Sequence, residues 1–495
     1  MIASKRWAGH SRLLKQVNWR HPKIVQSDID QTELVIVDAP TGATPFSFGV
    51  IGDTDADLSA GQPTFAEAFA QQLMQNLGES HFLLHTGDVA YPMGSYQSYL
   101  SGFLRPYRAF LSKGLEHCPY RGDSVVFNRP LLPVPGNHDY DDLPGAARWR
   151  HGLLRFLGDR LRQHLNIDIG CYGGYGGEAY GQTFLDNLSR LSAEQLTTHL
   201  ATHYDAICSM SDRKATARGL GHSAQSCLSY QPGRFTRLPN RYYRFRYGGV
   251  DFFALDSNTW NSAPEAAEFD HEQLSWLERG LVTSWQTPET IGRIVYLHHS
   301  PYTTEKTRWQ QPETLWVRRH LRSVLNRVAA RLNRTGLEQP EMSGFSSSRR
   351  ALPKSPLVDL VISGHAHCLE HIRTTNTGHA DAGLDWVVCG GSGVSLRPQR
   401  PDSSADILER LTDHTHSSPR RYTSVVAQSQ RYISVGGSQL QGHSFIRVDV
   451  NPNCHQKFVV RPFVVTKNLQ DWQTRALNTL TVGTAVDTSL PVGSR

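Results

Sequence analysis

The sequence predicts an α/β fold whose strands end in polar residues. Short apolar runs alternate along the chain with segments of helical periodicity, which is typical of strands joined by helices. Several of these runs stop at a glycine that is followed directly by aspartate, asparagine or histidine. The 495 residues are 39% hydrophobic and 19% charged, which suits a soluble protein with a sizeable core. The length indicates one large domain with insertions, or two domains.

The charge and cysteine content exclude some functional classes. Lys and Arg number 51 and Asp and Glu 45, and this excess of 6 permits an anionic substrate without requiring nucleic acid. The 7 cysteines contain no CxxC pair, so neither a disulfide framework nor a zinc finger is indicated. No apolar run is long enough to span a membrane, and residues 1–26 lack the apolar segment of a signal peptide. We therefore expect a cytoplasmic protein.

The first part of the chain carries three strand-like runs with a polar residue after each. Residues 1–44 are predicted to be an extension, with an edge strand at 33–37. The predicted elements that follow are strands 46–51, 82–85 and 131–135, and helices 64–77 and 96–111. Glycine-rich and polar sequence at about 145–240, with a helix near 146–165, interrupts this order and is interpreted as an insertion.

The order resumes after the insertion. The predicted elements are a hairpin over 242–256, helix 270–281, strand 294–297, an arginine-rich helix 312–333, and strands at 357–363, 385–389, 431–435, 444–449 and 457–465. A second insertion is expected at 302–357, a polar loop at 400–430 and a tail at 471–495. The main domain would then span 45–470, and the insertions would control the size of substrate admitted.

The strand ends supply metal-capable side chains. They are Asp53, Asp88, Asn137 with His138, His298 or His299, and His365 with His367. Taken singly, each is readily explained as a turn residue or a hydrogen-bonded histidine. Together, carboxylate, amide and imidazole groups suit Mn, Fe or Zn. Their number fits two ions that share one carboxylate, about 3.5–4 Å apart, in a site that acts on phosphoryl groups.

The ordered motifs resemble a known superfamily. The series Gly52-Asp53, Gly87-Asp88-Val89-Ala90-Tyr91, Gly136-Asn137-His138-Asp139, His299-Ser300-Pro301 and Gly364-His365-Ala366-His367 resembles the calcineurin-like metallophosphoesterases, and among them the purple acid phosphatase branch. The resemblance implies a four-layer α/β/β/α sandwich of two mixed sheets, with the metal ions at the strand ends.

The resemblance also implies a role for each site residue. Asp53, Tyr91 and His367 would bind the first metal, Asp88 would bridge both, and Asn137 and His365 would bind the second. His299 would be the remaining ligand. His298 is the alternative to His299. His138 would act off the metals as an acid or transition-state stabiliser, with Asp139 holding its ring. The implied cofactor is Fe paired with Fe, Mn or Zn.

Two positions depart from the purple acid phosphatase pattern. Asp55 stands where that branch has glycine, and its carboxylate is a rival to the Tyr91 phenolate for the first metal. In the Asp55 alternative the site would hold two divalent ions such as Mn. His371 stands where the branch usually has arginine. The identity of the metals therefore stays open at this point.

The function expected from this resemblance is hydrolysis of phosphate mono- or diesters by a metal-activated hydroxide. The expected substrate is a phosphorylated small molecule or another phosphoester. The alternative is a catalytically inactive metal-binding or scaffold protein on the same fold. A nuclease is less favoured, because its candidate groove would be the helix at 312–333, whose arginines are more simply a solvated face. The sequence does not predict the oligomeric state.

Overall fold

The structure is a computed structural model. The residues described are 13–54, 65–112, 125–140, 177–208, 225–260, 270–334, 356–393, 396–402, 404–413, 420–431, 442–454, 456–468 and 471–483. Asp55 and the predicted helix at 146–165 lie outside these ranges, as do most of the predicted strand at 431–435 and all residues after 483.

The described residues contain eighteen strands in two sheets. In chain order they are β1 (Ile29–Ile36), β2 (Phe46–Ile51), β3 (Phe82–His85), β4 (Leu131–Pro133), β5 (Ala206–Ile207), β6 (Ser226–Tyr230), β7 (Tyr243–Tyr247), β8 (Val250–Leu255), β9 (Gly292–Leu297), β10 (Leu360–Ser363), β11 (Leu369–Thr374), β12 (Asp385–Cys389), β13 (Asp406–Asp413), β14 (Arg420–Arg431), β15 (His443–Val450), β16 (Phe458–Asn468), β17 (Asp471–Ala476) and β18 (Leu480–Thr481).

Both sheets are mixed. The large sheet has eleven strands in the order β13-β14-β11-β12-β10-β9-β8-β7-β1-β6-β5. Its strands β8, β9, β10 and β12 are parallel, whereas β7 and β11 run against their neighbours. The small sheet has the order β17-β16-β15-β2-β3-β4, with β18 paired to β16. Within it β2, β3 and β4 are parallel and β15 is antiparallel to β2.

Helices cover the outer faces of the two sheets. The helices are α1 (Pro22–Gln26), α2 (Phe65–Leu77), α3 (Glu178–Phe184), α4 (Ala193–His203), α5 (His271–Gln286) and α6 (Pro312–Arg334), with short helical turns at Tyr96–Ser98, Tyr99–Leu104, Arg108–Phe110, Leu188–Arg190 and Ser257–Thr259. The apolar faces of α5 and α6 form one core cluster with β8, β9 and β10 of the large sheet. Helix α2 packs on β15 and β17 of the small sheet.

Aromatic side chains fill the space between the sheets. Phe48 and Phe82 of the small sheet are stacked with their ring centres 5.0 Å apart. Phe252 of the large sheet meets both rings edge-on, at 5.4 Å from each. The layer order is therefore helix, sheet, sheet, helix. The predicted four-layer α/β sandwich of two mixed sheets is confirmed.

Three segments differ from their predicted roles. The strand predicted at the edge, β1, lies inside the large sheet between β6 and β7, because its neighbour β6 comes from the segment interpreted as an insertion. Residues 471–481, predicted as tail, supply β17 and β18 to the small sheet. Part of the expected polar loop at 400–430 forms the β13–β14 hairpin. In each case the strand partner is distant in sequence, so the local pattern did not reveal it.

The arginines of the predicted helix at 312–333 do not all lie on a solvated face. Arg318 and Arg322 of α6 are buried, at 4% and 7% exposure. Arg318 donates to the Pro301 carbonyl at 2.8 Å, and Arg322 pairs with Asp381 at 2.9 Å. Arg322 Nη2 also donates to the Tyr302 hydroxyl at 2.7 Å, so both cations brace the loop that follows β9. In the described part of the chain, none of the helices has the length and apolarity needed to cross a membrane.

Candidate metal centre

The predicted ligands follow five strands, and the structure brings these strand ends together. Strands β2, β3 and β4 of the small sheet and β9 and β10 of the large sheet each lead directly into one of the motifs. The two sheets are joined here by the backbone N–H of His365, which donates to Asp53 Oδ2 at 2.9 Å. His298 Nδ1 adds a second link, 2.9 Å from the Thr86 carbonyl. The site therefore lies where the ends of the two sheets meet.

The backbone is strained at three of the predicted ligands. Asp53, Asp88 and His365 have φ of 54°, 51° and 65°. This left-handed region is uncommon for residues other than glycine and costs free energy that the surrounding structure must offset. Only six non-glycine residues in the described ranges have positive φ, so half of them belong to this site. These left-handed residues lie in the turns directly after β2, β3 and β10.

The first group of donors surrounds the hydroxyl of Tyr91. This hydroxyl lies 3.1 Å from Asp53 Oδ1, 2.9 Å from Asp88 Oδ2 and 3.3 Å from His367 Nε2. His367 Nε2 is in turn 3.4 Å from Asp53 Oδ1. The four side chains assigned to the first metal therefore converge on one point.

The second group surrounds the imidazole of His298. Its Nε2 lies 3.1 Å from Asn137 Oδ1, 3.1 Å from His365 Nδ1 and 3.3 Å from Asp88 Oδ2. The Thr86 carbonyl can only accept, so Nδ1 of His298 carries a proton and Nε2 is the ring nitrogen directed at the cluster. Asp88 contacts both groups, as a bridging carboxylate must.

His299 lies beside the second group. Its ring centre is 4.5 Å from that of His365, and its Nδ1 is 2.8 Å from the Ser257 hydroxyl. Donor atoms of His298, His299 and His365 all lie within 4.8 Å of one another. The structure thus brings both candidate histidines to the site, and the contacts with Asn137 and Asp88 favour His298 as the donor of the second group.

Electrostatic interactions couple Asp88 and His298. Burial acts to raise the pKa of Asp88, but the charges of His298 and His138 outweigh it and hold that pKa well below its usual range. Burial likewise acts to lower the pKa of His298, but the charge of Asp88 and its hydrogen bond raise it to about 9. The shifts favour a negatively charged Asp88 and a positively charged His298 at this fully buried position.

The prediction that Asp139 holds the ring of His138 is wrong. His138 Nδ1 instead lies 2.9 Å from the Pro92 carbonyl, and the His138 backbone N–H donates to Asp88 Oδ1 at 2.8 Å. Asp139 accepts from the backbone N–H of Gly136 at 2.8 Å and of Val89 at 3.1 Å. Through these hydrogen bonds, Asp139 joins the loops that follow β3 and β4. The ring of His138 is held by the Pro92 carbonyl instead.

Asp139 is also an unusual carboxyl group electrostatically. Burial and the charge of Asp88 raise its pKa to about 7. The Tyr99 hydroxyl donates to it and opposes this increase. Asp139 is thus a buried carboxyl group that supports the site through the loops after β3 and β4.

Three supporting residues were missed by sequence reasoning. His85 at the end of β3 accepts from the Gly87 N–H at 3.1 Å and lies 2.9 Å from the Thr54 hydroxyl. Asn258 donates to the Pro135 carbonyl at 2.9 Å, and Ser257 contacts His299 as described above. His85 adjoins the motif and so had a local signal, whereas Ser257 and Asn258 follow β8, which carries no motif.

Observations at the site fit the binding of cations. Nε2 of His365 is buried and has no hydrogen-bond partner among the described residues. Two buried carboxylates, Asp53 and Asp88, lie with His298 so that their donor atoms are within 4.8 Å of one another. The donors are oxygen and nitrogen atoms, which suits Mn, Fe or Zn over a soft ion. The residues present therefore fit a pair of metal ions.

Two further predicted positions lie apart from these groups or outside the described residues. His371, on β11, has its Nε2 2.8 Å from Asp385 Oδ1, a contact between neighbouring strands of the large sheet. Asp55 is outside the described residues, so the choice between Asp55 and Tyr91 at the first metal stays a prediction. The Tyr91 hydroxyl lies within hydrogen-bond distance of Asp53 and Asp88.

Neither a protein-family model nor a curated protein matches the sequence. Solved structures that are similar include purple acid phosphatase PPD1 from yellow lupin (Lupinus luteus) seeds, at 13% identity and a TM-score of 0.44, over 89% of this chain and 55% of that chain. GAP50, the anchor in the inner membrane complex of Plasmodium, has 12% identity and a TM-score of 0.40, over 90% of this chain and 91% of that chain. PhoD has 10% identity and a TM-score of 0.38, over 90% and 74%.

These similarities are distant. A purple acid phosphatase, the class of protein that the motifs resemble, is among the similar solved structures. The fold and the site are defined by this chain's own strands and side chains, as given above.

Proposed function

We propose that this protein is a phosphoesterase that depends on two metal ions. The observation that carries the proposal is the convergence of two donor groups on one shared carboxylate, Asp88. The proposed ligands are Asp53, Asp88, Tyr91 and His367 for one ion, and Asp88, Asn137, His298 and His365 for the other. When bound, such ions neutralise the charge of a phosphoryl group and acidify the water that attacks it.

The protein's own residues would hold and orient this reaction. Asp139, through its bonds to the Gly136 and Val89 N–H groups, keeps Asn137 and Asp88 at a fixed separation. His138 lies beside Tyr91, with ring centres 4.5 Å apart, and its Nδ1 is held by Pro92. Its Nε2 is the atom that would give a proton to the leaving oxygen of the ester, or stabilise the charge that develops there.

The metal pair is proposed to be Fe with Fe, Mn or Zn. Phenolate is a hard anionic donor, and the position of the Tyr91 hydroxyl between Asp53 and Asp88 supports a trivalent ion there. Iron-loaded protein should then be coloured, and Tyr91→Phe should remove the colour. An uncoloured iron-loaded protein would favour the Asp55 alternative.

The deciding experiment combines metal analysis with a substrate panel. Purified protein should contain two metal ions per chain and hydrolyse at least one of a small phosphomonoester, a phosphodiester, a pyrophosphate and an oligonucleotide. Asp88→Asn should lose most of the metal and nearly all activity. Asp251→Asn is the matched control, since Asp251 is an equally buried carboxylate paired with Arg246 away from the site.

Two results would contradict the proposal. Metal-loaded protein without hydrolysis of any substrate in the panel would indicate a metal-binding or scaffold protein. An Asp88→Asn protein that keeps two tightly bound ions would remove the bridging assignment. Preference for oligonucleotides would instead identify a nuclease.

A further inference from the structure

The β8 turn, from Asp256 to Asn258, holds the loop after β4 on both sides of a proposed metal ligand. Asn258 Nδ2 donates to the Pro135 carbonyl at 2.9 Å. The hydroxyl of Tyr140 donates to a carboxylate oxygen of Asp256. Asn137, a proposed ligand of the second ion, lies between Pro135 and Tyr140 in the chain. The loop is therefore attached to the β8 turn before and after its ligand.

The β8 turn also holds the loop after β9. The hydroxyl of Ser257 accepts from the His299 N–H at 3.0 Å and lies 2.8 Å from His299 Nδ1. His298, the favoured histidine of the second ion, directly precedes His299. The turn thus joins two ligand loops of the second ion, one from each sheet. Donors that belong to the first ion alone, such as Asp53 and His367, follow β2 and β10 instead.

Buried charges fix the β8 turn. Asp256 has no exposed surface, and its Oδ2 lies 2.8 Å from Nη1 of Arg241. Arg241 is itself buried and also pairs with Asp270. The side chain of Gln273, on α5, donates to the Asp256 carbonyl at 3.0 Å and accepts from the Asp256 N–H at 2.9 Å. Asp256 is therefore held through both its side chain and its backbone.

Tyr140 and Asn258 each connect Asp256 to one side of the ligand loop. Burial, and then the charge of Asp256, raises the pKa of Tyr140 well above its usual value, so its hydroxyl stays protonated and donates. Asn258 Nδ2 donates both to Asp256 Oδ1 and to the Pro135 carbonyl, at 2.9 Å each. Either connection can be removed by substitution without adding charge or bulk.

We propose that Tyr140 and Asn258 are positioning residues for the second ion of the candidate metal centre. This inference rests on the proposed phosphoesterase function. Both residues act through Asn137, whose amide oxygen must stay within about 0.5 Å of its productive position to bind the ion. Neighbours that orient a metal ligand contribute about tenfold to a hundredfold to metal affinity. Apart from the shared Asp88, the first ion takes its ligands from other loops, so its affinity should not depend on these two residues.

The test is a titration of metal-stripped, full-length protein with Zn²⁺ alone. The variants Asn137→Ala and His367→Ala identify which of the two binding events belongs to which ion. Tyr140→Phe and Asn258→Ala should each raise the Kd of the second ion about tenfold to a hundredfold. The Kd of the first ion should stay within about threefold of wild type, since outer partners act on the ligand that they orient.

Tyr204→Phe is the matched control. Tyr204 is buried, and its hydroxyl donates to the buried Asp186 at 3.0 Å, as that of Tyr140 does to Asp256. This contact joins the end of α4 to the segment after α3, which carries none of the proposed ligands. Loss of either hydroxyl should lower the free energy of unfolding, measured by chemical denaturation, but only Tyr140→Phe should weaken the second ion. The comparison separates a positioning role from a general loss of stability.

The outcomes distinguish this inference from the proposed function. If wild type binds two ions but hydrolyses none of the esters in the panel, the proposed reaction fails, and a selective loss of the second ion still supports the positioning role. Equal weakening of both ions, equal weakening of the second ion in Tyr204→Phe, or unchanged affinities in both Tyr140→Phe and Asn258→Ala would overturn the inference. A wild type that binds fewer than two ions would overturn both.

Discussion

At the scale of single residues, the site depends on which atom of each side chain is directed inward. His138 illustrates this, because its backbone N–H is bonded to Asp88 while its ring is held by Pro92. The ring nitrogen Nδ1 is therefore held by a backbone carbonyl, while the ring itself lies beside Tyr91.

His138→Ala should keep both metal ions and lose activity by about 10²- to 10⁴-fold, the range for one positioned acid or base. Metal content measured by mass spectrometry, alongside the turnover of a small phosphoester, checks this. Loss of metal on substitution would show that His138 is a ligand.

The adjacent histidines His298 and His299 should differ in their effect on metal content. His298 Nε2 contacts Asn137 and Asp88, whereas His299 Nδ1 contacts Ser257. His298→Ala should therefore lose about one ion per chain, and His299→Ala should retain more metal. If His299→Ala loses an ion and His298→Ala keeps both, the His299 assignment from the sequence motif is the correct one.

At the scale of elements, the turns after the strands place the ligands by close backbone approach. A Cβ atom on Gly136 would lie 2.1 Å from Asp88 Oδ1 and 2.3 Å from the Asp88 backbone nitrogen. The loop after β4 can pass Asp88 only because it has no side chain at that position.

Gly136→Ala should destabilise the protein by about 1–3 kcal/mol, the usual cost of overpacking, and should reduce metal binding. Chemical denaturation and metal analysis measure the two effects. Gly102→Ala is the control, because an added Cβ there meets nothing within 4 Å. A fully metallated, undiminished Gly136→Ala protein would mean that the two loops can separate without cost.

The start of β15 carries a pH-sensitive contact away from the site. Burial lowers the pKa of His443 to about 4, although the Gly393 carbonyl opposes this by accepting a hydrogen bond from its Nδ1. The ring packs against Phe65 of α2 with ring centres 3.9 Å apart. The folded protein therefore keeps His443 neutral at a pH where the unfolded chain binds a proton.

His443 contributes no pH dependence above its unfolded pKa of about 6.5, and it destabilises the fold as the pH falls from there to about 4. Through this group, the free energy of unfolding should fall by about 3 kcal/mol at most. In His443→Gln the free energy of unfolding should fall less over this interval, whatever its value at pH 7. Identical slopes for the two proteins, from denaturation at several pH values, would contradict the burial effect.

At the scale of the whole molecule, the two sheets hold the two halves of the site together. The aromatic layer between them includes Phe48, Phe82 and Phe252, all buried. Because Asp53 and Asp88 come from the small sheet and His298 and His365 from the large sheet, this layer sets the separation of the donors.

Phe252→Ala should lower the free energy of unfolding by about 3–5 kcal/mol, the usual cost of removing a buried aromatic ring. Leu408→Ala, at a residue 57% exposed on β13, should change it by less than about 0.5 kcal/mol. Denaturant titration of the two variants measures the difference. Equal effects would show that the layer between the sheets is not the main core.

The sequence by itself determined the fold class and the candidate residues, because both depend on local signals. Short apolar runs predicted β2, β3, β9 and β10, and the polar residues after them predicted the site. These features appear within a few residues of chain.

Tertiary structure alone decided the rest, because the deciding contacts join residues that are far apart in sequence. The inner position of β1 depends on β6 from a distant segment, and the contacts of Asp139 depend on the loops after β3 and β4. Arg397 meets Thr307 only because two separate loops pair beside His367. No periodicity or motif reports such pairings, since side-chain direction and loop packing are settled only when the sheets come together.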